Sequence, residues 1–188
     1  MRRFVGYLPG SPDPFDVELV KASDEADVAL LRAVGRTDLA PPLELGPIPP
    51  AAGDEVIVLG YPTGMRALLA RTDPEFVATL TAAPEIDFWS VAERLAEAGL
   101  IGALASRGIV SQVSAAAVVY DAETTEGGSG GPVLALDGVV VAVNTAVIPR
   151  FGGSNLGVPA AEGMKILLQT DPAAVADSST PRAQQARD

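Results

Sequence analysis

Residues 126–146 read EGGSGGPVLALDGVVVAVNTA. In the second half of this stretch two apolar runs, 132–136 and 139–144, flank the pair Asp137-Gly138, which favours a tight two-residue turn and so predicts a β-hairpin. In the first half Ser129 stands between two glycine pairs. Glycines let a backbone take positive φ and bring its N–H groups up to a bound carbonyl oxygen, and the N–H groups of Gly127 and Ser129 are the candidate donors. An isolated GGSGG reads as a flexible linker. A linker does not normally run straight into a buried hairpin.

Working outward, 15–20 (Phe-Asp-Val-Glu-Leu-Val) alternates apolar and acidic positions, as a strand with one wet face does, and 27–33 reads as a more buried strand able to pair with it. The Pro-rich segment 41–50 cannot hold a central strand, so it is a connection leading into a third strand at 55–60. Between 61 and 108 the period changes. Thr72-Asp-Pro-Glu75 has capping-box spacing with proline near the first turn, and 87–98 carries apolar residues at helical spacing, stopped by Gly99. One or two short helices are expected there. Strand patterning resumes at 108–113 and 116–120, passes through the glycine loop and hairpin, and ends near 155–159 before a helix at 161–169. The tail 171–188 has no periodicity and is expected to be disordered.

The composition narrows the class. With 188 residues, 48% hydrophobic and 20% charged, the chain can bury a real core, and 19 Gly with 16 Pro among short Val/Ile/Leu runs favours an all-β domain. A formal charge of −11 with no basic cluster argues against nucleic acid or an anionic membrane as partner. The absence of cysteine removes disulfides and thiolate metal sites, and the absence of histidine removes the common zinc and non-haem iron sites. No metal or organic cofactor is implied. No run of about 18 apolar residues and no signal-type apolar segment occurs, so the chain as written carries no export address.

Several motifs now fall in one order. Asp121-Ala-Glu-Thr-Thr-Glu-Gly-Gly-Ser129-Gly-Gly-Pro-Val-Leu134, then Asp137-Gly-Val-Val-Val-Ala-Val-Asn-Thr-Ala146, then Gly152-Gly-Ser-Asn-Leu-Gly-Val-Pro159 resemble the C-terminal barrel of bacterial trypsin-like serine proteases of the HtrA (Deg) type. Asp27-Val-Ala-Leu-Leu31 is similar to that family's strand motif around the triad aspartate. Val56-Ile-Val-Leu-Gly-Tyr-Pro-Thr-Gly64 resembles a strand and turn of the family, and Gly108-Ile-Val-Ser111 the strand that follows. The similarity spans 15–169, interrupted by an insert at about 65–107. It implies a chymotrypsin-like double β-barrel with the first barrel incomplete: a partial N-terminal barrel at 1–50 and a C-terminal barrel at 51–170, with a short helical insert and a C-terminal helix.

By this resemblance the substrate is a peptide or protein, Ser129 is the nucleophile, and Asp27 is the residue that orients a histidine. Taken alone, Asp27 reads as an ordinary acid at the start of a strand. Gly127 and Ser129 would form the oxyanion hole. The strand through Val143, Asn144 and Thr145 would flank the specificity pocket and hydrogen-bond an extended peptide, and Glu123 would lie where a carboxylate selects a basic side chain. Relatives of this type are exported or membrane-tethered.

The family's histidine precedes its aspartate at a distance that here falls at or before Met1. The expectation is an N-terminally truncated copy, with little or no turnover as written and with the apolar faces of 15–20 and 27–33 left exposed or their edges unpaired. Lys21 and Lys165, the only lysines, lack the context of a Ser-Lys dyad and read as surface charges. The alternative is a non-catalytic module that holds extended peptides in the same cleft. In the insert, Phe76, Leu80, Phe88, Trp89, Val91 and Leu95 read as a face packed on the barrel, with a lid or exosite as the other reading.

Overall fold

The alternation of Val56 and Val58 against half-exposed neighbours marks a strand with one face in a core, and both valines are fully or almost fully buried. The computed structural model describes residues 4–9, 11, 13–36, 39–61, 65–82, 87–124, 127–147 and 154–170. Residues 171–188, 62–64 and 148–153 lie outside the described residues, as do Thr125 and Glu126.

Two antiparallel sheets make up the fold. β1 (Phe4–Gly6), β2 (Phe15–Ala22) and β3 (Ala29–Ala33) form a three-stranded meander in that order. The second sheet contains β4 (Glu55–Gly60), β5 (Leu104–Val113), β6 (Val118–Tyr120), β7 (Pro132–Ala135), β8 (Val140–Val147) and β9 (Asn155–Pro159). Its order is β4-β5-β6-β9-β8-β7, and β7 pairs back onto β4, closing a six-stranded barrel. Closure pairs every strand on two sides and leaves no long open edge. Its core is built from Val56, Val58, Val110, Val118, Tyr120, Val133 and Ala142, all at most 3% exposed. Each buried valine contributes about 1.5–3 kcal/mol relative to exposure.

The hairpin predicted at Asp137-Gly138 joins β7 to β8, with Gly138 N–H donating to Ala135 O at 3.0 Å. The Pro-rich connection is pinned beside β8, since Gly46 N–H donates to Val140 O and Val140 N–H to Glu44 O, both at 2.8 Å. In the meander Leu19 and Leu31 are direct partners, yet each remains about half exposed, at 53% and 51%. The sheet therefore leaves an apolar pair open to solvent.

Three helices interrupt the barrel between β4 and β5: α1 (Met65–Ala70), α2 (Pro74–Thr81) and α3 (Phe88–Glu97). The expected cap at Thr72 moves one residue. Asp73 is the N-cap of α2, accepting from Glu75 N–H at 2.8 Å, while the Thr72 hydroxyl donates to Leu69 O at the end of α1. Asp87 caps α3 in a reciprocal box with Ser90. The insert has its own small core of Leu68, Leu80, Val91 and Leu95, with Phe76 packed against it. Phe88 and Trp89 do not join it. They are 61% and 48% exposed, so the face expected to pack on the barrel instead divides between a separate core inside the insert and two exposed aromatic rings. α4 (Ala160–Gln169) packs on β3, β8 and β9 and so ties the meander to the barrel. No helix among the described residues is long and apolar enough to cross a membrane.

Candidate active site

The loop from β6 to β7 is anchored at its start. Asp121 Oδ1 accepts from Ile109 N–H at 2.5 Å, and the buried Asn155 donates through Nδ2 to Ala122 O at 2.6 Å. Further on the chain turns tightly, with Gly127 at φ +91° and Gly130 at φ +86°, a region that side chains strongly disfavour. Gly131 N–H donates to Gly128 O at 3.1 Å, Gly130 N–H to Asn144 O at 2.7 Å, and Asn144 N–H to Gly131 O at 2.9 Å. On its other side the loop presses on the end of β4. A Cβ on Gly60 would stand 3.4 Å from Gly128 Cα, and one on Gly131 would collide with Leu59 O. Held on both flanks, with Gly128 buried, the loop turns Ser129 outward.

Ser129 Oγ donates to Thr145 O at 2.9 Å, and the Thr145 hydroxyl donates to Asp27 Oδ2 at 2.5 Å. One residue of β8 thus holds both the serine and the carboxylate. Asp27 ends a tight turn in which Ser23 Oγ accepts from Glu25 and Ala26 N–H at 3.2 and 3.1 Å, and Ser23 N–H donates to Val28 O at 2.9 Å. The structure brings together Asp27, Ser129 and Thr145 from two sheets, a link no local pattern contains.

The other expected site residues fall as follows. Asn144 is 2% exposed and turns into the barrel, where Oδ1 accepts from the Tyr120 hydroxyl at 2.5 Å, while Nδ2 faces Thr124 Oγ1 at 3.4 Å. Its side chain is therefore a core group, and its backbone is already spent on the glycine loop. Val143 is paired with Pro132 on one side and Val158 on the other. β7 ends its pairing at Val143 while β8 runs on to Val147, so among the described residues that edge of β8 has no partner strand from Thr145 onward. Glu123 is exposed on the loop. Among the described residues no acceptor takes the N–H of Gly127 or of Ser129.

Both lysines are bonded to α4, Lys21 from β2 and Lys165 within the helix. Lys21 Nζ donates to Gln169 at 3.0 Å and Lys165 Nζ to Glu162 at 2.6 Å, the latter bond raising the lysine's pKa. Beside Thr145 lies an open groove of about 400 Å³ lined by Glu25, Asp27, Glu162, Leu156 and Gly157 among others. Among the described residues no group of His, Cys, Asp or Glu is placed to hold a metal ion.

A closed antiparallel barrel stands with a companion three-stranded sheet, and a serine and a carboxylate are both bonded to Thr145 of the barrel's β8. The chain belongs to the trypsin-like peptidase domain family, which it matches over residues 3–143. Its relatives include the magnetosome formation protease MamE of Paramagnetospirillum magneticum, 24% identical over 158 residues that cover 82% of this chain. The chain spans 18% of that relative's length. Two solved structures share the fold at 18% identity. The serine endoprotease from Yersinia pestis has a TM-score of 0.63, covering 93% of this chain and 49% of that one. A serine-to-alanine mutant of Rv3671c from M. tuberculosis, in an inactive form, has a TM-score of 0.55, covering 90% and 69%. The chymotrypsin-like architecture expected from the motifs is thus the fold of this chain.

Proposed function

We propose that this chain carries the nucleophile and the orienting carboxylate of a serine endopeptidase, and that a histidine from outside these 188 residues completes it. The observation that supports this most is the relay on β8, in which Ser129 Oγ and Asp27 Oδ2 are both bound to Thr145. An imidazole placed beside Thr145 takes the Ser129 proton on one nitrogen while Asp27 accepts the N–H of the other. Ser129 Oγ then attacks the peptide carbonyl, and the Gly127 and Ser129 N–H groups receive the oxyanion. The imidazolium protonates the leaving amine, the acyl-enzyme forms, and water activated by the same imidazole hydrolyses it, returning the proton to Ser129. The peptide lies as an added strand on the edge of β8 from Thr145 onward.

With no histidine in the chain, Ser129 is an unactivated hydroxyl. Its expected rate is the residue left by binding and the oxyanion hole, about 10³–10⁴ over water. The working compartment is proposed to be outside the cytoplasm, on the resemblance to exported proteases. The second reading, a binding module that holds peptides on the same edge, is favoured by that same lack of a base. Intact-mass analysis and peptide-library hydrolysis of the protein isolated from its own cells separate the two. The protease reading expects a histidine-bearing form whose hydrolysis is abolished by Ser129→Ala. A native form without histidine, inert but binding peptides, overturns it.

A further inference from the structure

A second groove, of about 390 Å³, opens between the meander and the helical insert. Tyr7, Tyr61, Met65, Leu68, Phe88 and Trp89 line it, and among the described residues no charged side chain does, in a chain of net charge −11. Phe88 and Trp89 meet edge to face, with ring centroids 5.2 Å apart, and both stand open to solvent. Exposed aromatic pairs in an apolar concavity are unusual on a surface that binds nothing.

We infer that this groove receives an apolar side chain from the half of a bound peptide that does not lie on β8. The position of the glycine loop carries the argument. On one flank the loop is bonded to β8 through Asn144 and Thr145, and on the other it touches the end of β4 at Leu59 and Gly60. A peptide paired with the free edge of β8 and passing over Ser129 leaves the loop on the β4 side. The next residue of that strand is Tyr61, on the groove wall. The groove wall therefore begins one residue beyond the loop's contact with β4 at Gly60. The occupant is thus a large aliphatic or aromatic side chain.

This inference rests on the reading of Ser129 as the point a peptide crosses, and three fluorescein-labelled peptides test the two separately. One is a decapeptide carrying Leu-Phe in its second half; the others are its two halves. Anisotropy reports binding, and emission from Trp89, the single tryptophan, reports the groove. The decapeptide and the second half are expected to shift Trp89 emission, and the first half to leave it unchanged. Phe88→Ser, at a position 61% exposed, is expected to raise the dissociation constant of the second half about tenfold, and replacing Leu-Phe by Ser-Ser in the peptide to do the same with no change to the protein. Decapeptide binding with Trp89 unmoved and Phe88→Ser silent overturns the groove and leaves the β8 edge standing. A second half that moves Trp89 while the decapeptide gains nothing from its first half supports the groove and counts against the edge. No binding by any of the three overturns both.

Discussion

Tyr120→Phe removes one oxygen from the centre of the barrel. Tyr120 is 0% exposed and its hydroxyl donates to Oδ1 of Asn144, itself 2% exposed. Nothing else among the described residues reaches that Oδ1 atom, so the variant leaves a buried amide oxygen without a partner. A buried polar group stripped of its hydrogen bond costs about 1–3 kcal/mol, and no sizeable cavity adds to it because the ring remains. We expect about 2 kcal/mol, a lowering of the melting temperature by roughly 4–8 °C for a chain of this size. Asn144→Leu alone should cost a similar amount by stranding the tyrosine hydroxyl. The double variant should recover much of the loss, because replacing both partners with apolar groups removes the unsatisfied atom. Urea unfolding followed by circular dichroism gives the cycle. A loss below about 0.5 kcal/mol for Tyr120→Phe, or simple addition in the double variant, refutes the reasoning.

Other expectations follow from the same structure. Burial raises the pKa of Tyr120, and burial also raises that of Tyr61 against a lowering contribution from Arg71, so each ionises in the unfolded chain near pH 10 before it does so in the folded one. Stability should hold below about pH 10 and fall above it, with a limiting slope of about 1.4 kcal/mol per pH unit per tyrosine, and Tyr120→Phe should flatten that fall in alkaline melts. Asp87 titrates low, first through the Ser90 N–H and then the Ser90 hydroxyl, so its capping contribution is complete above pH 3.8 and lost as pH falls through its folded pKa. Asp87→Ala should fray the start of α3 at neutral pH and abolish the acid transition in Trp89 emission. Thr145→Val keeps the carbonyl that Ser129 uses but removes the donor to Asp27. It should slow imidazole-dependent acylation of Ser129 roughly three- to tenfold, the lower bound reflecting the exposed position of Asp27.

The barrel was legible because its strands carry strong local signals. The Val56/Val58 alternation, the Asp137-Gly138 turn and the stop at Gly99 each depend on neighbours in sequence. β1 is three residues long, too short for a period, and α1 consists of good helix formers without a capping signal, so neither stood out. Helical spacing puts Phe88 on the stripe of Val91 and Leu95, but spacing cannot say where the packing surface ends, and the first turn of α3 runs past it. Ser129 and Asp27 are proposed from motifs. The Thr145 hydroxyl that holds Asp27 spans 118 positions, and the inward turn of Asn144 depends on Tyr120, 24 positions away. Contacts of that range are set by sheet closure, not by local pattern.

The central claim is that Ser129 is a nucleophile lacking only its base. The most direct measurement is intact-mass detection of fluorophosphonate labelling of the 188-residue protein with and without imidazole in the buffer. The account predicts no adduct without imidazole and a single one with it, mapped to Ser129, abolished by Ser129→Ala and slowed by Asp27→Asn. An adduct forming equally fast without imidazole, one that persists in Ser129→Ala, or none at any imidazole concentration would contradict it.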